Sequence, residues 1–232
     1  LLDAALARLS FARLLGRGGR LDTAAQHAQK TLTQVERLAA WPGFDPSSLA
    51  PLRCDALRLL AQQAYQSGDA AGAVGLSGQM LDACAALPAG LLIRPENEAV
   101  PRLAQAASDL ATHAVTAGPG FLPEATMKIR QALADCRAAR AAEPRSVPLA
   151  CGLAMCLHAS ARLSLASGSG ADLHPLFEET CILLTGMASN PGLSYLPLIW
   201  EISGTVTAWA GGLQDHPDSA LASDSLALAQ KF

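Results

Sequence analysis

Aromatic and charged residues are scarce in this sequence: 4% of the 232 residues are aromatic and 16% are charged, whereas 50% are hydrophobic. Alanine and leucine therefore supply most of the apolar side chains that a core requires. Alanine has the highest helix propensity and lets neighbouring helix backbones approach closely, whereas a β-sandwich or barrel would need more valine, isoleucine, tyrosine and threonine. The composition favours closely packed helices, and we predict an all-α fold.

Lysine is also rare, since Lys30, Lys128 and Lys231 accompany 14 arginines in a chain of net charge −3. The positive charges are scattered, whereas a nucleic-acid-binding surface needs a concentrated basic face. The uninterrupted apolar stretches are much shorter than the ~20 residues that span a bilayer, and the chain does not open with a signal-peptide pattern. We therefore expect neither a nucleic-acid partner nor a membrane partner.

The sequence lacks the motifs of common catalytic sites: H-E-x-x-H, G-x-S-x-G and the phosphate-binding glycine loop with Lys and Ser or Thr. The five histidines lie on different predicted elements. Cys156 and His158 are the closest His–Cys pairing, but side chains two residues apart on a helix point to different faces. The glycines at 16–19 follow no predicted strand, so they indicate a turn between helices. We expect no enzyme activity, no catalytic residues, no metal site and no cofactor.

The six cysteines form no C-x-x-C pair, and each lies within an apolar helical pattern. Such cysteines indicate reduced, buried thiols that behave as small hydrophobic residues, rather than disulfides or metal ligands. A reducing compartment follows, and we expect a cytoplasmic protein.

What the sequence does contain is a repeat. Gly68, Gly118 and Gly168 follow Gly19 at intervals of 49, 50 and 50 residues, each between two apolar helical runs. Self-similarity at a fixed period predicts stacked helical hairpins, so we expect one helical-repeat domain over residues 1–232. The polar pattern of a capping repeat is missing at both ends, which predicts that the domain is part of a longer chain. The five predicted hairpins span about 3–40, 47–87, 97–142, 147–188 and 194–231.

Two local features support finer predictions. Asp22 follows the first glycine turn, which predicts that it is the N-cap of the second helix.

Gly72, Gly75 and Gly78 lie inside a predicted helix, where each costs up to ~1 kcal/mol relative to alanine. We interpret these three glycines as marks of close helix contact.

A second regularity precedes each turn. Phe11-Ala12, Leu60-Ala61 and Leu110-Ala111 lie at the same distance before their glycines, and Ser160-Ala161 occupies this place in the fourth unit. Early in the second helix, Ala24 and Leu32 correspond to Ala73 and Leu81. This pattern resembles the tetratricopeptide repeat (TPR), although the units here exceed the family's 34 residues. The third unit inserts residues before Ala125, and the fourth has Leu173 where the family has alanine.

The resemblance implies a right-handed superhelix whose leading helices line a concave face that receives a peptide or a partner helix. Transferring the family's groove positions gives three positions per leading helix, with Tyr65 in addition. These positions are Leu6, Leu9 and Arg13 in the first unit; Asp55, Arg58, Gln62 and Tyr65 in the second; Gln105, Ser108 and Thr112 in the third; and Met155, His158 and Arg162 in the fourth. The middle units are polar at these positions, which is typical of a ligand-binding groove but also of any solvated helix face.

Two classes of function remain open. The preferred hypothesis is a non-catalytic scaffold that binds a peptide or partner protein through the concave face. The alternative is a helical regulatory region of a larger enzyme, such as a caspase-like protease or a signalling ATPase, in which other domains of the same chain are partners. For the preferred hypothesis we expect Arg58, Gln62, Tyr65 and Arg162 to be partly exposed on one surface, available to an acidic or extended segment. For the packing we expect buried alanines at 61 and 111.

Overall fold

The computed structural model describes residues 2–42, 46–85, 99–169 and 173–188, which contain eight α-helices and no strand. The helices, numbered in chain order, are α1 (Leu2–Arg17), α2 (Leu21–Ala39), α3 (Ala50–Gln66), α4 (Ala70–Ala85), α5 (Ala99–Ala117), α6 (Leu122–Ala142), α7 (Val147–Ala166) and α8 (Leu173–Ala188). Short 3₁₀ turns at Pro46–Leu49 and Pro119–Phe121 precede α3 and α6. The predicted all-α fold is confirmed. The fifth predicted hairpin, 194–231, lies outside the described residues.

The helices form four hairpins that pack in series. Each leading helix, α1, α3, α5 or α7, packs against the trailing helix that follows it, and each of α2, α4 and α6 also packs against the next leading helix. Successive leading helices touch one another as well, most extensively α5 and α7. A chain of hairpins in which each unit contacts its neighbours is an α-solenoid, as the repeat predicts.

The four turn glycines have the backbone conformation that explains their period. Gly19, Gly68, Gly118 and Gly168 have φ of 76°, 86°, 106° and 72°, in the region that L-residues with a side chain rarely adopt. In the first, second and fourth turns, the residue after the glycine donates its N–H to a carbonyl five residues earlier, as in Asp69 to Ala64 at 2.9 Å. The third turn cannot make this bond because Pro119 has no N–H.

Small residues occupy the places where helices meet. The alanines seven residues before the turn glycines, Ala12, Ala61, Ala111 and Ala161, are all 0–1% exposed. The prediction that Ala61 and Ala111 are buried is confirmed. The residues early in the trailing helices, Ala24, Ala73, Ala125 and Leu173, are buried too. The two residues added after Gly118 therefore do not change the inward position of Ala125.

The contact between α5 and α7 depends on a glycine that the sequence pattern did not single out. Gly152 is buried in the second turn of α7, opposite Val100 at the start of α5. A Cβ atom at position 152 would overlap Cγ1 of Val100 and lie 3.6 Å from both the Cβ and the carbonyl oxygen of Val100. The absence of a side chain at position 152 thus permits the close approach of these two helices.

The N-cap prediction for Asp22 is wrong, because α2 begins one residue earlier, at Leu21. Arg20 holds the N-cap position without a capping hydrogen bond from its side chain, and Asp22 lies in the first turn. The equivalent of Arg20 in the second hairpin is Asp69, whose carboxylate accepts a 2.8 Å hydrogen bond from the N–H of Gly72. In both hairpins the residue directly after the turn glycine occupies the N-cap position, and the trailing helix begins at the next residue.

The interpretation of the three glycines of α4 holds for one of them. At Gly78 an added Cβ would lie 3.7 Å from the aliphatic part of Lys128 on α6, so this residue does face a neighbouring helix. At Gly75 no atom lies within 4 Å, and at Gly72 the neighbour is the Asp69 carboxylate at the start of the same helix. Close helix contact is therefore wrong for Gly72 and Gly75.

One described helix, α7, is long and apolar enough to cross a membrane by length and composition alone. However, 67% of its most apolar window is buried inside the fold, between the neighbouring helices. Core helices of folded domains commonly combine this composition with this degree of burial.

Candidate functional site

The predicted groove positions of α3, α5 and α7 lie together on one side of the solenoid, joined to α1 through Arg13. We call this surface the leading-helix face. It comprises Arg13, Arg17, Asp55, Arg58, Gln62, Tyr65, Arg102, Gln105, Ser108, Asp109, Thr112, His158 and Arg162. Because the leading helices touch in series, side chains from consecutive units come within hydrogen-bonding distance of one another.

Asp55 connects three leading helices. Its carboxylate forms an ion pair with Arg13 of α1, and its other oxygen lies 3.7 Å from Nε of Arg102 on α5. The Asp55 side chain is 19% exposed, whereas Arg13 is 45% exposed. Exposed ion pairs contribute only about 0–1 kcal/mol to stability, so the main effect of this cluster is to orient the two guanidinium groups.

A second cluster joins α3 to α5. Nε of Arg58 lies 3.3 Å from Oδ2 of Asp109, and Oδ1 of Asp109 accepts a 2.9 Å hydrogen bond from Nε2 of Gln105. The Arg58–Asp109 approach does not satisfy hydrogen-bond geometry at either atom. Arg58 and Asp109 therefore attract each other by charge, but they lack the bidentate hydrogen bonds that make arginine–carboxylate pairs strong.

A third cluster joins α5 to α7. Nη1 of Arg162 donates to Oγ1 of Thr112 at 2.8 Å, and Thr112 in turn donates to the carbonyl of Ser108 at 2.9 Å. His158 lies one turn before Arg162. Burial, with a smaller contribution from the Arg162 charge, lowers the pKa of His158 to about 4. The positive charge of this cluster at neutral pH thus belongs to Arg162 alone.

Tyr65 occupies the end of α3 on the same face. Its ring stacks at a tilt of 32° on His113 of α5, with 4.7 Å between centroids, and its hydroxyl lies 3.4 Å from Oγ1 of Thr116. His113 is fixed from below by Ser77 of α4, whose Oγ is 2.9 Å from Nδ1. Burial lowers the pKa of His113, so its ring is neutral at pH 7. Tyr65 remains 38% exposed above this support.

A cavity of about 350 Å³ opens between α1 and α3, lined by Arg13, Gly16, Arg17, Asp55, Arg58, Leu59 and Gln62. Its volume lies at the low end of the range of small-molecule pockets, about 300–1,000 Å³. A larger cavity of about 690 Å³ lies elsewhere, between the start of α6 and the end of α7. That cavity contains none of the predicted groove residues, and its lining includes the exposed Met127.

The predicted positions do not all reach the surface. Leu9 is 2% exposed and belongs to the core, so its assignment to the groove is wrong. Met155 packs partly against the same core, whereas Leu6 is 46% exposed. The face starts to become polar at Arg13 because the first unit has Leu6 and Leu9 where the second unit has Asp55 and Arg58.

Three charged residues of the face were not predicted: Arg17, Arg102 and Asp109. Arg102 lies one helical turn before the predicted position Gln105, and Asp109 directly follows the predicted Ser108. Extending the family's positions by one turn along each helix would have included Arg102. For Asp109 the signal was only its place beside a predicted position.

The face carries more positive than negative charge. Its arginines are Arg13, Arg17, Arg58, Arg102 and Arg162, and its carboxylates are Asp55 and Asp109. Both histidines in or beneath it are neutral at pH 7, as described above. The described part of the chain contains no group of three or more His, Cys, Asp or Glu side chains that could hold a metal ion.

Comparison with known proteins supports the fold. The sequence matches no protein-family profile and no curated protein. In structure, it resembles the nearly identical TPR-like repeats of a Podosopora anserina protein assigned to the kinesin light chains, with a TM-score of 0.58, 17% identity and coverage of 97% of this chain and 92% of that one. A single-substitution variant of the same repeats gives a TM-score of 0.56 at 17% identity and covers 97% and 94% of the two chains. The chain therefore has a TPR-like helical-repeat fold.

Proposed function

We propose that this protein is a non-catalytic interaction scaffold and that its leading-helix face binds an extended, acidic segment of a partner protein. The observation that carries the proposal is the excess of arginine over carboxylate on a face whose side chains are already ordered by contacts between helices. Arginine binds carboxylates through paired N–H donors, and a guanidinium that is held in place loses less conformational freedom on binding.

Two further features support an extended peptide as the ligand. The polar positions repeat from one leading helix to the next, which suits a chain that crosses several units rather than a compact ligand. Tyr65 provides an exposed aromatic ring that His113 and Ser77 support from below. Rigid aromatic side chains often contribute a large share of the binding energy at interfaces.

The absence of catalysis is part of the proposal. Among the described residues, Ser77 and His113 come closest to a hydrolase pair, with Oγ and Nδ1 2.9 Å apart. Ser77 is 0% exposed and His113 is 5% exposed, so a substrate cannot reach either of them without unfolding of the site. We also propose a reducing, cytoplasmic location, because the five described cysteines are unbridged and buried.

The test uses peptides of defined charge. Fluorescein-labelled 12-residue peptides containing one aromatic residue and zero, three or six glutamates, together with a six-lysine peptide, are titrated with the purified protein in a polarisation assay. Affinity should rise with the number of glutamates and fall with salt, because attraction between exposed charges is screened over about 8–10 Å at physiological salt. The six-lysine peptide should not bind.

The matched variants remove two arginines from the face or two exposed arginines that are not part of it. Arg58→Gln with Arg162→Gln should weaken binding of the six-glutamate peptide by roughly tenfold or more, since each charge-assisted hydrogen bond contributes about 1.5–3 kcal/mol. Arg20→Gln with Arg37→Gln lowers the net charge equally on exposed parts of the first hairpin away from the face, and it should leave affinity nearly unchanged. Neutral glutamine is preferable to Arg58→Glu, which would place a second carboxylate against that of Asp109. Equal effects of the two double variants would contradict a binding site on this face.

A further inference from the structure

Two cysteines of the second hairpin lie in direct contact. Sγ of Cys54 on α3 and Sγ of Cys84 on α4 are 3.1 Å apart, and both residues are buried, at 1% and 0% exposure. A disulfide has an S–S distance of about 2.05 Å, so the two sulfurs need to approach by only about 1 Å to form one. The residues come from different helices and are separated by 30 positions in the sequence.

The position of this pair along its helices distinguishes it from a second pair. Cys84 is the penultimate residue of α4, and Cys54 lies in the second turn of α3. Cys136 and Cys156 also touch, at 3.6 Å, but Cys156 lies at the middle of α7 and Cys136 lies six residues before the end of α6. Helix ends open more readily than helix centres because their terminal backbone groups lack intrahelical partners. A small solute therefore needs a smaller opening of the structure to reach Cys54 and Cys84 than to reach Cys136 and Cys156.

We propose that Cys54 and Cys84 form an oxidisable dithiol site that hydrogen peroxide converts to an intramolecular disulfide. The Cys54 thiolate attacks one peroxide oxygen and breaks the O–O bond, which gives a sulfenic acid on Cys54 and a hydroxide that takes up a proton. The Cys84 thiolate then attacks the Cys54 sulfur and displaces the second hydroxide, which is also protonated. In total, two thiols and one peroxide give one disulfide and two waters.

The surroundings favour Cys54 as the attacking group. The hydrogen bond from Cys84 lowers the pKa of the Cys54 thiol and raises that of Cys84, and the nearby Arg102 and Arg53 act in the same lowering direction on Cys54. Burial and the Asp55 carboxylate oppose this effect. A thiolate is the nucleophile in peroxide oxidation, and Cys84 is then within reach to resolve the sulfenic acid.

The disulfide would join the two helices of the hairpin that carries Asp55, Arg58 and Tyr65. It closes a loop that contains nearly all of α3 and α4, and so restricts the unfolded chain and fixes the open end of this hairpin. In a reducing compartment the site would be a dithiol and would respond only when peroxide accumulates.

The test begins with the unmodified protein. The fully reduced chain is incubated with stoichiometric hydrogen peroxide, remaining thiols are blocked with N-ethylmaleimide at intervals, and tryptic peptides are analysed by mass spectrometry without reduction. Trypsin cleaves after Arg53 and Arg58, so the expected product is the peptide 54–58 linked to the peptide that contains Cys84. This link should form about tenfold faster than any link between Cys136 and Cys156, in keeping with easier opening at helix ends. Oxidation should raise the Tm by roughly 5 °C.

Two variants serve as a matched pair. Cys84→Ala should abolish every link to Cys54 and the rise in Tm, whereas Cys156→Ala should leave both unchanged. Loss of thiols without a 54–84 link, or a 136–156 link that forms as fast or faster, would overturn the proposal. The peptide map of the parent protein decides the question even if a variant folds poorly.

Discussion

Replacing Gly152 by alanine tests the close contact between α5 and α7. In an unhindered helix interior this replacement stabilises by about 1 kcal/mol, because alanine has the higher helix propensity. Here the new Cβ would overlap Cγ1 of Val100, which is 2% exposed. Valine in a helix strongly prefers one χ1 rotamer, so Val100 cannot turn away cheaply. Either Val100 adopts a poor rotamer, or α5 and α7 move apart.

The expected magnitude follows from these competing terms. Overpacking of a core contact costs about 1–3 kcal/mol, which exceeds the gain in propensity. We therefore expect Gly152→Ala to lower the free energy of unfolding by about 1–2 kcal/mol. The matched control is Gly75→Ala on α4, where no atom lies within 4 Å of the new Cβ. That variant should be stabilised by up to about 1 kcal/mol.

The assay is urea denaturation followed by circular dichroism at 222 nm, applied to both single variants, to Val100→Ala and to the double variant Val100→Ala/Gly152→Ala. If the overlap is the cause, the double variant should be more stable than the sum of the single effects predicts, by about 1–3 kcal/mol. A stabilising effect of Gly152→Ala equal to that of Gly75→Ala, or strict additivity with Val100→Ala, would refute the close contact between α5 and α7.

Three further predictions concern helix starts, pH and packing. Arg20→Asp should stabilise by about 1 kcal/mol in thermal or urea unfolding, since it places at the start of α2 the capping carboxylate that Asp69 supplies to α4. The folded chain resists protonation of His158 until about pH 4, whereas the unfolded chain binds this proton below pH 6.5. Stability should therefore fall by up to about 3 kcal/mol as pH drops from 6.5 to 4, and His158→Gln should remove most of this loss in urea titrations at each pH. Ala111→Leu should cost about 1–3 kcal/mol by overpacking; a parent-like stability would contradict its place at a helix contact.

The fold was predictable from the sequence because its main features each require a particular residue type at a single position. A positive φ favours glycine whatever surrounds it, so Gly19, Gly68, Gly118 and Gly168 reveal the turns in the sequence itself. The alanines seven residues earlier are equally informative, because a larger side chain would not fit between touching helices. A property that depends on one residue and its own backbone imposes the same residue type in each of the four repeats, so it can be recognised in the sequence.

The details of the face were less predictable because they depend on pairs of residues. Asp109 stands about 50 positions from Arg58, and only the packing of α3 against α5 brings the two to 3.3 Å. The same limit explains the glycines of α4: Gly75 and Gly78 are one turn apart on one helix, but only Gly78 faces Lys128. Residue type and repeat period do not specify which residue of the neighbouring helix faces a given position.

The packing of the solenoid and the chemistry of its face are linked by adjacent residues. Ala111 and Ala161 are buried, and the next residue in each case, Thr112 or Arg162, lies on the face. The small alanine side chains let α5 and α7 approach, and this approach brings Nη1 of Arg162 within 2.8 Å of Oγ1 of Thr112. A larger residue at either alanine would separate the helices and break a contact that orients Arg162. Recognition of an acidic segment would depend on arginine side chains that are held in a fixed orientation. That orientation therefore derives from the smallest residues of the core.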